Sequence, residues 1–391
     1  MTKHDVEKVR TFALVGHGDA GKTSLTEAML YDANMTTRLG KIDSGNTVTD
    51  YDPKEIKRGI TINSSLAYLN WKNSTFNIID TPGYLDFIID TKSSLRVVDC
   101  AIIVVSGVSG VEVQTEKVWD YAEEFQLPRI FFINKLDRER ADFDRVGEMI
   151  KENFGQNAVP VQLPIGSEEH FQGIVDLLKM KAFYFQTDKD GKNQIEEKDI
   201  PADLKSKADE FRQKMIEAVA EFDDEILMKY LEGEELSKEE ILTCLKGGLI
   251  ERKVFPVLCG SATKNVGIEL LLDFIEDYLP NPLDLPDIVV TDLKAQKEIK
   301  LKRAVEGSPF AALVFKTITD PYVGNLTYFR VFSGELNSDS QVYNSTQDTE
   351  NRVGKIFRMQ GKDQSPVSKV SPGGIGAIAK LKKTNTGDTL C

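Results

Sequence analysis

Eight residues constrain this chain more tightly than anything else in it. Gly16-His17-Gly18-Asp19-Ala20-Gly21-Lys22-Thr23 matches the pattern GxxxxGK[ST]. Ahead of it, Thr11 to Val15 is a short apolar run of strand character. Behind it, Lys22 to Tyr31 is rich in helix formers. A strand, a glycine-rich turn and a helix in that order gather backbone N–H groups and a helix N-terminus around one point, which makes a cradle for polyphosphate. In such a loop Lys22 brings a point charge to the β and γ phosphates. Thr23 offers a hydroxyl to Mg²⁺, and Ser24 continues the phosphate-binding set.

The surrounding pattern agrees with an α/β domain. Thr75–Ile79, Cys100–Val105 and Arg129–Ile133 read as buried strands and Gln114–Phe125 as a helix. This rhythm predicts a mostly parallel sheet covered on both faces. It breaks at about residue 158, where a charged stretch with several polar helices runs to Lys253. Strand Val254–Cys259 and helix Val266–Tyr278 then resume it, so 158–253 reads as a helical or α+β insertion. Pro280, Pro282 and Pro286 mark a linker, which places a P-loop α/β domain over 1–284. From 285 to 391 the texture is all-β. Phe310–Thr317, Leu326–Ser333, Gln341–Asn344, Arg352–Met359 and Ile375–Leu381 read as short strands of a small barrel.

Three further motifs follow the P-loop in order. Asp80-Thr81-Pro82-Gly83 closes an apolar strand; Asp80 holds Mg²⁺ through water and Gly83 brings a backbone N–H to the γ-phosphate. Asn134-Lys135-Leu136-Asp137 closes another. There Asp137 can accept two hydrogen bonds from guanine N1 and N2, Asn134 ties loops together, and the Lys135 stem lies along the base. This element separates GTP from ATP binding. Gly260-Ser261-Ala262 supplies a backbone N–H for guanine O6. Between Met35 and Thr61 runs a polar stretch ending in Arg58-Gly59-Ile60-Thr61. A Thr61 hydroxyl that joins Mg²⁺ only beside a γ-phosphate would make this stretch an order–disorder switch.

Composition narrows the class. The 391 residues carry a net charge of −13, which argues against a general nucleic-acid coat protein. The charge is uneven, with 15 Lys and Arg against 10 Asp and Glu from Thr291 to Cys391, so a basic C-terminal module on an acidic body can still meet phosphates locally. No apolar run approaches the ~20 residues of a membrane helix, and the polar start does not read as a secretory signal. Cys100, Cys244, Cys259 and Cys391 are scattered, as reduced thiols of a cytoplasmic protein are.

Together these residues resemble the elongation factor G family of ribosomal translocase GTPases, over nearly the whole chain. Arg58–Thr61 looks like its switch I and Asp80–Gly83 like its switch II. Pro160–Gly173 resembles its extra G-domain subdomain, and Asp320–Leu326 and Thr386–Leu390 its second domain. The resemblance implies a monomeric cytoplasmic GTPase that works with GTP/GDP and Mg²⁺, with a monovalent cation near Asp19. The ribosome is the implied partner, through rRNA and through a stalk protein facing the acidic insertion.

The chain departs from the family in three ways. Tyr84 stands where a histidine usually follows DTPG, leaving Tyr84, Lys22, Gly83 and Thr61 as the catalytic set. Gly18 replaces a bulky aliphatic residue; some paralogues look like this chain at both positions. The family continues for three more domains, so the resemblance implies truncation after the second. We read Gly18 and Tyr84 as an exchange of volume, the glycine making room for the ring; independent drift is the alternative. The rival functions are a ribosomal protection-type GTPase and a GTP-gated ribosome-binding module with little hydrolysis.

Overall fold

The computed structural model describes residues 3–187, 193–234, 236–293, 295–303, 307–320 and 324–391. A short helix α1 (Lys3–Glu7) leads into β1 (Val9–Val15), all of whose residues are buried. Helix α2 (Lys22–Asp32) follows the phosphate loop, and α3 (Pro53–Arg58) lies in the polar stretch beyond it. Strands β2 (Ser65–Trp71) and β3 (Ser74–Asp80) form a hairpin. Then come α4 (Ile88–Leu95), β4 (Cys100–Ser106), α5 (Val113–Glu124), β5 (Arg129–Asn134), α6 (Phe143–Phe154) and β6 (Ala158–Pro160).

The insertion is less helical at its start than its composition predicts. It opens as an antiparallel sheet of β7 (Gln162–Ile165), β8 (Gly173–Asp176), β9 (Lys181–Thr187) and β10 (Asn193–Lys198). Only then come α7 (Ala202–Ala220), α8 (Asp224–Leu231) and α9 (Lys238–Ile250). Strands this short, with Leu163, Ile165, Ile174 and Val175 turned inward, leave too little alternation for a sequence signal. Strand β11 (Phe255–Cys259) and helix α10 (Ile268–Tyr278) return to the main body.

The main sheet runs β2-β3-β1-β4-β5-β11-β6 and is parallel except for β2. Strand β6, at the expected start of the insertion, belongs to this sheet through its pairing with β11. Wholly buried β1, β4 and β5 are what a sheet covered on both faces requires. The chain leaves β1 toward β3 on one side and β4 on the other. The carboxyl end of β1 is therefore a topological switch point, where such sheets open a crevice. Register does the rest. Leu14 pairs with Asp80, Ser106 with Asn134, and Ile133 with Cys259, so all four sequence motifs leave the sheet along one edge.

The C-terminal part begins with an antiparallel pair, β12 (Ile288–Asp292) and β13 (Lys297–Leu301). Its main strands are β14 (Ala311–Asp320) and β15 (Gly324–Ser333). A short pair, β16 (Leu336–Asn337) and β21 (Lys369–Val370), brackets β17 (Gln341–Asn344), β18 (Thr349–Arg352), β19 (Ile356–Gln360) and β20 (Asp363–Val367). Strands β22 (Ile375–Ala379) and β23 (Thr389–Leu390) finish it. The larger sheet has the order β18-β17-β23-β14-β15-β22-β19-β20, and one apolar cluster joins Val342 near one end to Ile356 near the other. The sheet thus curls around its own core. The run expected as one strand, Arg352–Met359, is two, because Val353-Gly354-Lys355 turns the chain and the Val353 N–H goes to Ser340 O. Of the segment Asp320–Leu326, residues 321–323 lie outside the described residues.

Polar contacts lock the two parts together. Buried Arg330 donates to Val97 O at 2.7 Å and to Asp99 at 2.5 Å. The Thr11 hydroxyl reaches Gly373 O at 2.9 Å, and Gly361 N donates to Leu66 O at 2.7 Å.

Candidate functional site

The phosphate loop leaves β1 and turns into α2 at Gly21, whose φ is +93°. A Cβ there would lie 2.4 Å from Asn134 Nδ2, so both backbone and space require glycine. Lys22 is buried and folds its ammonium back onto Gly16 O at 3.1 Å and His17 O at 2.8 Å. Burial brings its pKa down to about 8 against the pull of Asp80, Asp19 and Asp50. A phosphate in the loop would give this ammonium the anionic partner that two carbonyls only approximate. Gly83 presses on the same spot; a Cβ on it would sit 2.4 Å from Lys22 Nζ and 2.6 Å from Gly18 N. Thr81 anchors that turn by donating to Leu14 O at 2.7 Å, and Thr91 donates to Pro82 O at 2.9 Å. His17 faces Ser109 Oγ at 3.2 Å, and burial lowers its pKa.

The polar stretch from Met35 to Thr61 is folded over this loop. Asp52 caps α3, with Pro53 in its first turn, and Glu55 completes a capping box. Glu55 also accepts Ile62 N at 2.9 Å and Asn63 N at 3.0 Å, which fixes the chain just past Thr61. Thr61 Oγ1 then lies 3.0 Å from Thr23 Oγ1. The Thr49 hydroxyl donates to Asp80 Oδ2 at 2.7 Å. Asp50 Oδ1 and Asp80 Oδ1 are buried without a hydrogen-bond partner among the described residues. Burial raises both carboxyls, that of Asp50 to about 7.

These groups fit Mg²⁺. Two hydroxyls 3.0 Å apart and two buried carboxyl oxygens without a hydrogen-bond partner among the described residues suit a hard cation that takes few protein ligands beside phosphate oxygens and water. Among the described residues no group of three or more His, Cys, Asp and Glu side chains could hold a metal without such help.

At the other end of the crevice Asn134 joins three loops. It donates to Ala20 O at 2.9 Å and accepts Ala262 N at 3.0 Å. Asp137 accepts the Ser261 hydroxyl at 2.6 Å and the Thr263 hydroxyl at 3.4 Å. Lys135, at φ +65°, lies beside it, its pKa lowered by burial. Between the two ends is a cavity of about 470 Å³ lined by Lys22, Thr23, Ser24, Thr61, Lys135 and Ala262, among others. That is ample for a nucleoside triphosphate.

Tyr84 sits at the phosphate end, partly exposed. Its hydroxyl points to Asp19 Oδ2 at 3.5 Å, and burial and Asp19 raise its pKa. A Cβ on Gly18 would lie 2.8 Å, 3.0 Å and 3.1 Å from Cζ, Cε2 and Cε1 of the Tyr84 ring. The ring therefore already fills the space that a side chain at residue 18 would need.

Sequence reading missed Thr49, Asp50, Glu55 and Glu27. Glu27, on α2, is buried and accepts Val48 N at 2.6 Å, while Gly40 packs onto its other oxygen. The capping box Asp52-Pro53-Lys54-Glu55 was a readable signal for Glu55; the other three carry none.

Comparison with known proteins places this geometry. The family described as elongation factor Tu GTP binding domain matches residues 7–281, and elongation factor G domain 2 matches residues 309–391. Elongation factor G of Thermotoga sp. (strain RQ2) is 48% identical over 387 residues, covering 99% of this chain and 55% of that protein. The Thermotoga maritima protein of the same name is 47% identical, with coverage of 99% and 56%. A crystal structure of a Thermus thermophilus protein superposes with a TM-score of 0.85 at 29% identity, over 98% of this chain and 54% of that one. The chain thus spans a little over half the length of the curated relatives it matches.

Proposed function

Because the chain belongs to the translational GTPase family built on the elongation factor Tu GTP-binding domain, we propose that it binds GTP with Mg²⁺ and hydrolyses it to GDP and phosphate on the ribosome, as part of an elongation factor G-like protein. The observation that carries this reading is the approach of Thr61 to Thr23 beside two buried carboxyl groups, Asp50 and Asp80, each with one oxygen left without a partner among the described residues. Thr23 and Thr61 would hold Mg²⁺ directly, and Asp80 and Asp50 through water. Bound there, the metal neutralises charge on the phosphates.

The chain's own residues do the rest. Lys22 balances the β and γ phosphates, and the N–H of Gly83 meets the γ-phosphate. Asp137 and Ala262 read guanine, and Asn134 holds their loops against the phosphate loop. A water attacks the γ-phosphorus, the bond to the bridging oxygen breaks, and the pair of electrons leaves with GDP. Phosphoryl transfer of this kind depends on positioning more than on a strong base. A tyrosine with a raised pKa is neutral at pH 7, so Tyr84 acts by orienting water through its hydroxyl. Asp19 holds a monovalent cation near the phosphates, the acidic insertion faces the stalk protein, and the molecule works as a cytoplasmic monomer. Among the described residues no helix is long and apolar enough to cross a membrane.

Tyr84 also supports a second reading, a GTP-gated ribosome-binding module with little turnover, because its hydroxyl is aimed at Asp19. Equilibrium binding of fluorescent GTP, GDP and ATP, with Mg²⁺ and with EDTA, tests the shared part. Binding of guanine nucleotides alone, with GTP binding weakened by EDTA, is expected; equal binding of ATP would refute it.

A further inference from the structure

One buried cation in the C-terminal sheet points out of its own domain. Lys316 of β14 is 8% exposed, and it is aimed by an irregularity. The register of β14 against β15 shifts between Val314 and Lys316, so Val314 pairs with Phe329 while Lys316 pairs with Tyr328. Val314, Phe315 and Lys316 are consecutively buried. Bulges of this kind re-aim a side chain, and here the ammonium is delivered into the GTPase domain. It donates to Ser64 O at 2.8 Å and to Asp90 Oδ2 at 3.1 Å.

Its two acceptors belong to the two segments that the functional reading sets beside the γ-phosphate. Ser64 lies three residues beyond Thr61, at the end of the first segment. Asp90 lies on α4, the helix that follows Gly83 and Tyr84. The two are also joined directly: the Asp90 carboxylate accepts Ser64 N, and Ser94 Oγ donates to Asp90 O at 2.8 Å and lies 2.9 Å from Ser64 Oγ. Lys316 thus brings to this largely buried cluster a charge that touches both segments and comes from neither.

We propose that Lys316 is a positioning residue for the GTP state: it holds the Thr61 segment and the helix after Gly83 in one arrangement and ties that arrangement to the C-terminal sheet. This rests on the functional reading above. With GTP bound, both segments have to be in place, and the ammonium braces them there. With GDP bound, Thr61 has no γ-phosphate to serve, so the brace contributes nothing to affinity. The same contact passes the state of the nucleotide to the C-terminal domain, because β14 carries the lysine.

Lys316→Met keeps the length of the side chain and removes the charge. Affinities for GDP and for a non-hydrolysable GTP analogue are measured on the whole chain, with protease cleavage between residues 35 and 59 in both states. The expected result is about a tenfold loss for the analogue, GDP affinity within twofold of wild type, and analogue-state cleavage as fast as in GDP. Equal losses for both nucleotides, or none, would overturn the proposal, since a merely structural lysine has no reason to distinguish them. Asp90→Asn keeps the fold-supporting size of its side chain and must show the same selective loss, and combining the two must add little to either alone. Full additivity would also overturn it. Wild type that binds neither nucleotide would refute the functional reading itself, a separate result.

Discussion

Placing a side chain at Gly18 should displace Tyr84, and the geometry sets the size of the effect. A Cβ at residue 18 falls 2.8 Å from Tyr84 Cζ, whereas carbon atoms rest about 3.5–4.0 Å apart. The ring must therefore move by roughly 1 Å for alanine alone, and farther for isoleucine. Overpacking of this kind costs about 1–3 kcal/mol in a closed site. Tyr84 is partly exposed, so Gly18→Ala should fall at the low end, with the ring swinging outward. Gly18→Ile adds three more carbons and should slow hydrolysis by about tenfold, the equivalent of ~1.4 kcal/mol on the barrier. Tyr84→His removes the bulk and should restore much of that loss in the double variant. The assay is single-turnover hydrolysis of radiolabelled GTP with saturating ribosomes, on wild type, both single variants and the double. Coupling of about 0.5–3 kcal/mol is expected for residues in contact. Strict additivity, with nucleotide affinities unchanged, would refute the idea that glycine and ring share one space.

Other consequences can be checked separately. Asp137→Asn should weaken GTP binding by about 2–5 kcal/mol, as loss of a buried charged partner does, and improve binding of xanthosine triphosphate; isothermal titration with both nucleotides decides it, and unchanged GTP affinity counts against Asp137 as the guanine reader. Thr61→Ala should abolish the difference between GDP and GTP-analogue states in protease cleavage of residues 35–59, read by mass spectrometry. Glu27 gives a pH effect of definite sign. Burial pushes its carboxyl up to about 7 from 4.5, against the pull of the Val48 and Gly40 N–H groups. The fold therefore prefers the protonated form, and this contribution is full below pH 4.5 and lost as pH rises toward 7. Wild-type stability should decline relative to Glu27→Gln across that window in urea unfolding, and parallel pH profiles would contradict it.

What was legible in the sequence had local causes. The phosphate loop needs Gly21 for its backbone and Lys22 for its charge, so the motif marks itself. The apolar runs of β1, β4 and β5 are unbroken because both faces of the sheet are covered, and that pattern has few alternatives. The roles of Asp50, Glu27 and Lys316 were not legible, because each acts across a long stretch of chain. Lys316 meets Ser64 over 252 residues, through a bulge that strand alternation does not announce. In the sequence Glu27 is an ordinary helix glutamate, and only the fold brings Gly40 and Val48 over it. The meeting of Gly18 and Tyr84 lay between these extremes. Both departures, and their pairing as an exchange of volume, were readable in the sequence; what the fold adds is the distance, with the Tyr84 ring already in the space a Cβ on Gly18 would need.

The central claim is that this crevice turns over GTP under ribosomal control. It is tested most directly by single-turnover hydrolysis of GTP by the wild-type chain, with and without ribosomes and with Mg²⁺ or EDTA. The account predicts slow hydrolysis alone, acceleration on adding ribosomes, and loss of both with EDTA or in Thr61→Ala. GTP that stays bound and intact in the presence of saturating ribosomes and Mg²⁺ would contradict it.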